Sequence, residues 1–258
     1  MDKKNRVDVE NKFHQAEELM NSNSEQALSK LDGINPNDLP ENLRYYYFHL
    51  AGHIHYIRED FDDAIICYNL ALKNPDLDKE STADIYTKLS GIYVDKELYI
   101  EAIDCAKKAI ELSPSPRTMT GALDRLALSY QNMGDFKQNS VYLLHILNIY
   151  KEKRIDDWSK YMIESSYASL CFTYWKLNDE NKSDHYFQKL ISLKDANPHE
   201  LGRVYLCKAH RFYEKRQWKD ALEYYNKAVS FMNNGEDKQH YQKYIDDCNG
   251  WLDKKSNQ

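Results

Sequence analysis

The sequence is poor in glycine, with 8 in 258 residues, and that scarcity removes one class of function at once. A phosphate-cradling loop needs several glycines ahead of a helix, whereas Gly134-Asp135 stands alone and reads as a turn. Long apolar runs are missing too. No segment is long enough to span a bilayer as a helix, and Met1-Asp-Lys-Lys-Asn5 has no apolar stretch behind it to make a signal peptide. Positive charge is not in excess: 35 Lys and Arg face 41 Asp and Glu, for a net charge of −6. Nucleic-acid binding is therefore not expected, because phosphate contacts call for a basic stripe. The five cysteines (Cys67, Cys105, Cys171, Cys207, Cys248) form no C-x-x-C and are odd in number. They point to reduced, mostly buried thiols and to a cytoplasmic location. No Ser/His/Asp order, carboxylate pair or G-x-S-x-G element stands out, so neither catalysis nor a cofactor is expected.

What the chain does have is aromatic: 13% of residues, 21 of them Tyr. Many fall at helical spacing. In the stretch from 86 to 114, Tyr86, Leu89 and Tyr93 recur at intervals of three and four, and so do Ala102, Ala106 and Ala109. With 3.6 residues per turn, each set lies on one helix face. Lys96–Leu98 is the turn between the two helices, and Pro114 closes the unit. Small residues on the second helix allow close approach while the rings fill the space around them.

The order W-x2-L-G-x2-Y, then A-x3-F and a closing P, marks the tetratricopeptide repeat. This stretch resembles it, with Tyr86 in the Trp position, Ser90 in the Gly position and Ala106 in the Phe position. Other stretches show the same pattern. Phe48-x2-Ala51-Gly52-x2-His55 precedes Ala64-x3-Tyr68-x2-Ala71, and Leu126-Ala127-x2-Tyr130 precedes Asn139-x3-Leu143. Tyr167-x2-Leu170-Cys171-x2-Tyr174 precedes Ser183-x3-Phe187, and Tyr205, Ala209 and Phe212 precede Ala221-x3-Tyr225. From Ala64 through Ala102, Asn139 and Ser183 to Ala221, the steps are 38, 37, 44 and 38 residues. The standard repeat is 34, so the units are long, and the step of 44 places an insertion near Lys151–Trp158. Asn139 and Ser183 replace Ala, so the fourth and fifth units are expected to be loosened. The resemblance implies an all-α, right-handed superhelical solenoid of antiparallel helix pairs with about 13 helices. It would form one array over residues 1–258: a degenerate pair at 7–34, five units over 42–232 and a capping helix at 236–254.

In this family the first helix of each pair lines a concave groove. Carried over position by position, that resemblance puts Tyr46, His49, His53 and Tyr56 in the groove, with Thr87 and then Asp124, Arg125, Leu128 and Gln131 beyond them. Phe172, Trp175, Arg203, His210 and Tyr213 complete the set. The function implied is a non-catalytic scaffold that takes a peptide or partner segment in the groove, with aromatic anchors at both ends. A second implied function is a peptide-sensing regulatory domain of a bacterial signalling or transcription-regulatory system, with its effector elsewhere. A subset of the family grips acidic chaperone tails through a Lys/Asn/Arg clamp. Lys88 and Arg125 stand at clamp-like places, but His53, Gly91 and Leu128 fill the ninth positions, so that activity is not expected. His49, His53 and His55 share one helix, yet two histidines at i, i+4 without a third ligand make groove residues and not a metal site. Which partner binds, and in what oligomeric state, is not legible in the sequence.

Overall fold

The computed structural model describes residues 3–112, 115–151, 156–232 and 235–256. Pro114 and residues 152–155 of the expected insertion lie outside them. The described residues form helices and turns, with no strand: α1 (Lys3–Leu19), α2 (Ser24–Lys30), α3 (Glu41–Ile57), α4 (Phe61–Ala71), α5 (Lys79–Asp95), α6 (Tyr99–Leu112), α7 (Pro116–Asn132), α8 (Phe136–Tyr150), α9 (Asp157–Lys176), α10 (Glu180–Ile191), α11 (Pro198–Glu214), α12 (Trp218–Ser230) and α13 (Gly235–Ser256). A single 3-10 turn at Pro36–Asp38 precedes α3. The chain separates into two compact units, residues 1–129 and 130–258.

Local chemistry sets the helix ends. Asn23, Asp78, Asp135, Asp179 and Asn197 each accept a hydrogen bond from a backbone N–H of the first turn that follows, and Asp156 makes a reciprocal capping box with Ser159. These side chains satisfy donors that a helix start leaves unpaired. Five turns share a second device. Glu59, Glu97, Gly134, Asn178 and Arg216 adopt φ between 58° and 79°. The next N–H in each case reaches back five residues, as from Asp60 to the His55 carbonyl at 2.9 Å and from Gln217 to the Phe212 carbonyl at 2.9 Å. This is the Schellman closure of a helix, and it turns the chain straight into the second helix of the pair. Counted between these five residues, the steps are again 38, 37, 44 and 38. Part of the long step lies in α9, which has 20 residues where α3, α5, α7 and α11 have 17.

In the first unit, Phe13, Ala16, Ala27 and Leu31 of α1 and α2 pack with Leu50 and Ile54 of α3. Ala64, Tyr68 and Ala71 of α4 pack with Ile85, Leu89 and Ile92 of α5. The small residues work as expected: Ala102 is fully buried, and Ser90 Oγ donates to its carbonyl at 2.7 Å, drawing α5 onto α6. In the second unit, Ala168, Cys171, Phe187 and Leu190 pack with Val204 and Cys207, while Ala209, Ala221 and Tyr225 pack with Ile245 and Cys248 of α13. Ser183 is buried and donates to the Cys171 carbonyl at 2.8 Å, repeating the Ser90–Ala102 arrangement from the opposite helix. Asn139 is buried too, and its carbonyl oxygen accepts from Thr173 of α9. The polar replacements in α8 and α10 are thus hydrogen-bonded into the core. Four cysteines are buried, and Cys67 is half-buried.

Candidate functional site: the first-helix faces

Each unit presents a face made by its first helices, and the two are built differently. In the first unit, α3 supplies Tyr45, Tyr46, His49, His53 and Tyr56. Much of this polar surface is used to bind one helix to the next. Tyr46 donates to the Glu17 carboxylate and tilts against Phe13 with ring centres 5.3 Å apart. His49 Nε2 lies 3.2 Å from Asp84 Oδ2 on α5, and Tyr56 donates to Asp95 at 3.0 Å. Thr87 donates to the Ala83 carbonyl within its own helix. Lys88 Nζ stands 3.9 Å from Asp84. Burial opposes the Asp84 charge, but the His49 hydrogen bond and the positive charge of Lys88 outweigh it and hold the carboxyl below its usual range. His53 is driven the other way, to about 4, by burial and then by Lys88 and His49, so it is neutral at physiological pH. His55 turns aside to Asp60, 3.4 Å away, so the three histidines of α3 do not converge.

On α7, the Arg125 guanidinium lies over Gly91 of α5, 3.7–4.0 Å from the point a Cβ would occupy. Asp124 and Leu128 are half-buried on the same helix. A residue that the pattern assigns to the second-helix layer also belongs here. Tyr68 of α4 rests its ring against Gly52 of α3, where an added Cβ would meet Cδ1, Cε1 and Cζ at 3.1–3.2 Å. Its ring centre is 6.0 Å from that of His49. The signal for this was present in the sequence as Gly52 facing a second helix that carries Tyr68, where α6, α8 and α10 carry Ala106, Leu143 and Phe187.

The second unit's face is aromatic. Phe172 makes edge contacts with Phe136 at 5.9 Å and with Trp175 at 5.6 Å. Trp175 lies parallel to His210, ring centres 6.3 Å apart, and Lys176 Nζ sits 3.9 Å from the Trp175 ring centre. Both Phe172 and Trp175 remain half-buried. His210 continues the row through edge contacts to Tyr225 and Tyr244, and Tyr213 joins it through Tyr244 at 5.3 Å. Burial, with Lys176 and His240, lowers the His210 pKa. Its Nδ1 lies 2.8 Å from the Tyr225 hydroxyl. Tyr213 donates to Asp247 of α13 at 3.0 Å, and Arg203 is held by Glu200 at 2.7 Å and Ser169 at 3.1 Å. Gln131 is half-buried near the start of this unit. The groove set expected from the sequence left out Tyr241, placed there on the capping helix, and Tyr244; α13 brings both to the same row because it stands in the register of a first helix.

The tetratricopeptide repeat model matches residues 83–116 and 165–197, which hold the third and fifth pairs. The peroxisomal targeting signal receptor of Saccharomyces cerevisiae is 31% identical over 101 residues, covering 39% of this chain and 15% of the receptor. Among solved structures, the apo form of RapI aligns with a TM-score of 0.67 at 17% identity, over 85% of this chain and 62% of RapI. A Rap protein complexed with competence and sporulation factor aligns at 0.62 and 15% identity, over 96% of this chain and 87% of that one. The chain thus spans less than two thirds of the length of both the yeast receptor and RapI. The likeness to the solved structures establishes the helical-solenoid fold. No described helix is long and apolar enough to cross a membrane.

Proposed function

For a chain that carries tetratricopeptide repeats, we propose work as a non-catalytic interaction scaffold that holds a peptide or extended partner segment against the faces of its first helices. The observation that carries this reading is the half-buried pair Phe172–Trp175, backed by His210 and flanked by Lys176. Large rigid rings fixed on helices, yet open on one side, are what an anchoring contact needs. The acidic net charge and the free thiols support a protein partner and the cytoplasm over nucleic acid or an oxidising compartment. A second reading, a sensor whose bound peptide alters an effector, is favoured by the alignment with a Rap protein that holds competence and sporulation factor.

A random peptide library supplies the test. Peptides retained by the chain should bind the Trp175→Ala variant more weakly by about 2 kcal/mol in calorimetry, as loss of a buried aromatic anchor typically does. Replacing the exposed second-helix charges Lys107 or Glu223 should cost little. Peptides indifferent to Trp175 but lost on changing the second-helix charges would place the binding face on the other layer. For the sensor reading, a bound peptide must also shift hydrogen exchange in helices it does not touch.

A further inference from the structure

Cys171 of α9 and Cys207 of α11 meet inside the second unit, sulfur to sulfur at 3.8 Å, and both are buried, at 2% and 5% exposure. Packing does not ask for two sulfurs there. Cys171 lies twelve residues before Ser183 and Cys207 fourteen before Ala221. The same places hold Gly52 and Lys88 on α3 and α5, and Ser90 and Arg125 on α5 and α7. None of Cys67, Cys105 and Cys248 has a second sulfur beside it among the described residues, and burial pushes each of their thiols up to about 11. Cys171 goes the other way. The hydrogen bond it shares with Cys207 lowers it against the effect of burial, helped by Ser183 Oγ at 3.6 Å and by the charge of the buried Arg211. The same shared bond raises Cys207. One sulfur is thus disposed to become the attacking thiolate while the other keeps its proton.

We propose that Cys171 and Cys207 are a reversible oxidation site, closed by hydrogen peroxide into a disulfide that clamps α9 to α11. The Cys171 thiolate attacks one peroxide oxygen; an S–O bond forms, the O–O bond breaks, and the departing hydroxide takes up a proton and leaves as water. The Cys207 sulfur, giving up its proton, then attacks the Cys171 sulfur. An S–S bond forms, the S–O bond breaks, and the hydroxyl leaves with that proton as a second water. Two thiols lose two electrons in all, and one peroxide gains them. A disulfide needs its sulfurs about 2 Å apart, a gap that side-chain rotation and a small approach of the two helices close. Peroxide is scarcely larger than water, so the local openings that every helix pair undergoes are enough to admit it. In a reducing compartment such a pair senses oxidants and is not a permanent staple. Trp175 stands one turn beyond Cys171, and His210 three residues beyond Cys207, so the clamp ties together the helices whose rings lie parallel there. The inference does not depend on the scaffold reading.

The experiment treats the whole reduced chain with hydrogen peroxide, alkylates the thiols that remain, and maps the digest by mass spectrometry. Three of the five cysteines should be alkylated, and the peptides holding Cys171 and Cys207 should be recovered as one linked species that dithiothreitol separates. Cys207→Ala should stop the reaction at the Cys171 sulfenic acid, which dimedone captures, whereas Cys171→Ala should leave Cys207 free for alkylation. Should either variant fail to fold, the linked species from the unaltered chain decides alone. Hydrogen exchange of the oxidised chain should be slower in α9 and α11 and unchanged in α3 and α5. Five alkylated thiols after peroxide, or a link through Cys67, Cys105 or Cys248 instead, would overturn the site. So would a link that forms only in denaturant, since it would belong to the unfolded chain. A Cys171–Cys207 link that leaves exchange in α9 and α11 unaltered would overturn the clamp.

Discussion

Residues 53, 56 and 68 of the first unit and 210, 213 and 225 of the second stand 157 positions apart and are His, Tyr and Tyr in both cases. Around the second set the polar atoms are closed: Tyr225 meets His210 and Tyr213 meets Asp247. Around the first set only Tyr56 is served, by Asp95. The difference comes from the next first helix. At the same offset, α5 offers Asp84 and Lys88 where α13 offers Tyr241 and Ile245. Charges draw His49 aside and leave His53 and Tyr68 unpaired, whereas rings box His210 in from two sides and hold it against Tyr225. One repeat template thus leaves His53 and the Tyr68 hydroxyl unpaired in one unit and pairs Tyr225 with His210 in the other, set by the neighbouring first helix further along the chain.

The comparison is broken most severely by removing the template itself. Ala102→Arg puts a long charged side chain where α5 and α6 touch. Overpacking costs about 1–3 kcal/mol and an unpaired buried charge several more. Hydrogen exchange should show α5 and α6 losing protection while α11 and α12 keep theirs, since each repeat depends on its neighbours. Unchanged protection across residues 86–112 would refute the packing assigned to Ala102.

Tyrosine-to-phenylalanine changes separate the two units next. Tyr225→Phe strands His210, so chemical denaturation should show a loss of about 1–3 kcal/mol. Tyr68→Phe removes a hydroxyl that already lacks a partner, and should be neutral or stabilising by the same reasoning. Equal losses in both variants would mean that the two tyrosines are alike.

Acid should act on both units, in the same direction. His53 is lowered to about 4 and His210 is also lowered, so the unfolded chain binds protons that the folded chain excludes. Stability is therefore complete above pH 6.5 and falls as the pH drops towards about 4. A His53→Gln variant should lose less across that window. An identical pH slope would contradict the burial assigned to His53.

The helices and their register were readable in the sequence because they are local. Tyr86, Leu89 and Tyr93 repeat at helical spacing, and the 38, 37, 44, 38 steps return in the turn residues. The turns were less visible. Glu59, Glu97 and Arg216 take a left-handed conformation that only Gly134 and Asn178 among the five advertise. Hidden as well were the pairings His49–Asp84, Tyr56–Asp95 and Asn139–Thr173, whose partners lie 34–39 residues apart. The expected loosening of the fourth and fifth units was read from Asn139 and Ser183 in place of Ala, with Ile146 and Leu190 in place of the second small residue; the hydrogen bonds of Asn139 to Thr173 and of Ser183 to Cys171 were not visible there. Tyr68 was assigned by pattern to packing alone, because a periodicity counts the ring and not the hydroxyl.

The most direct test of binding on the first-helix faces is hydrogen–deuterium exchange of the chain with and without a library-selected peptide. The account predicts new protection in α3 and α5 of the first unit, in α9 and α11 of the second, or in both pairs. Protection confined to α4, α6, α10 and α12 would contradict it.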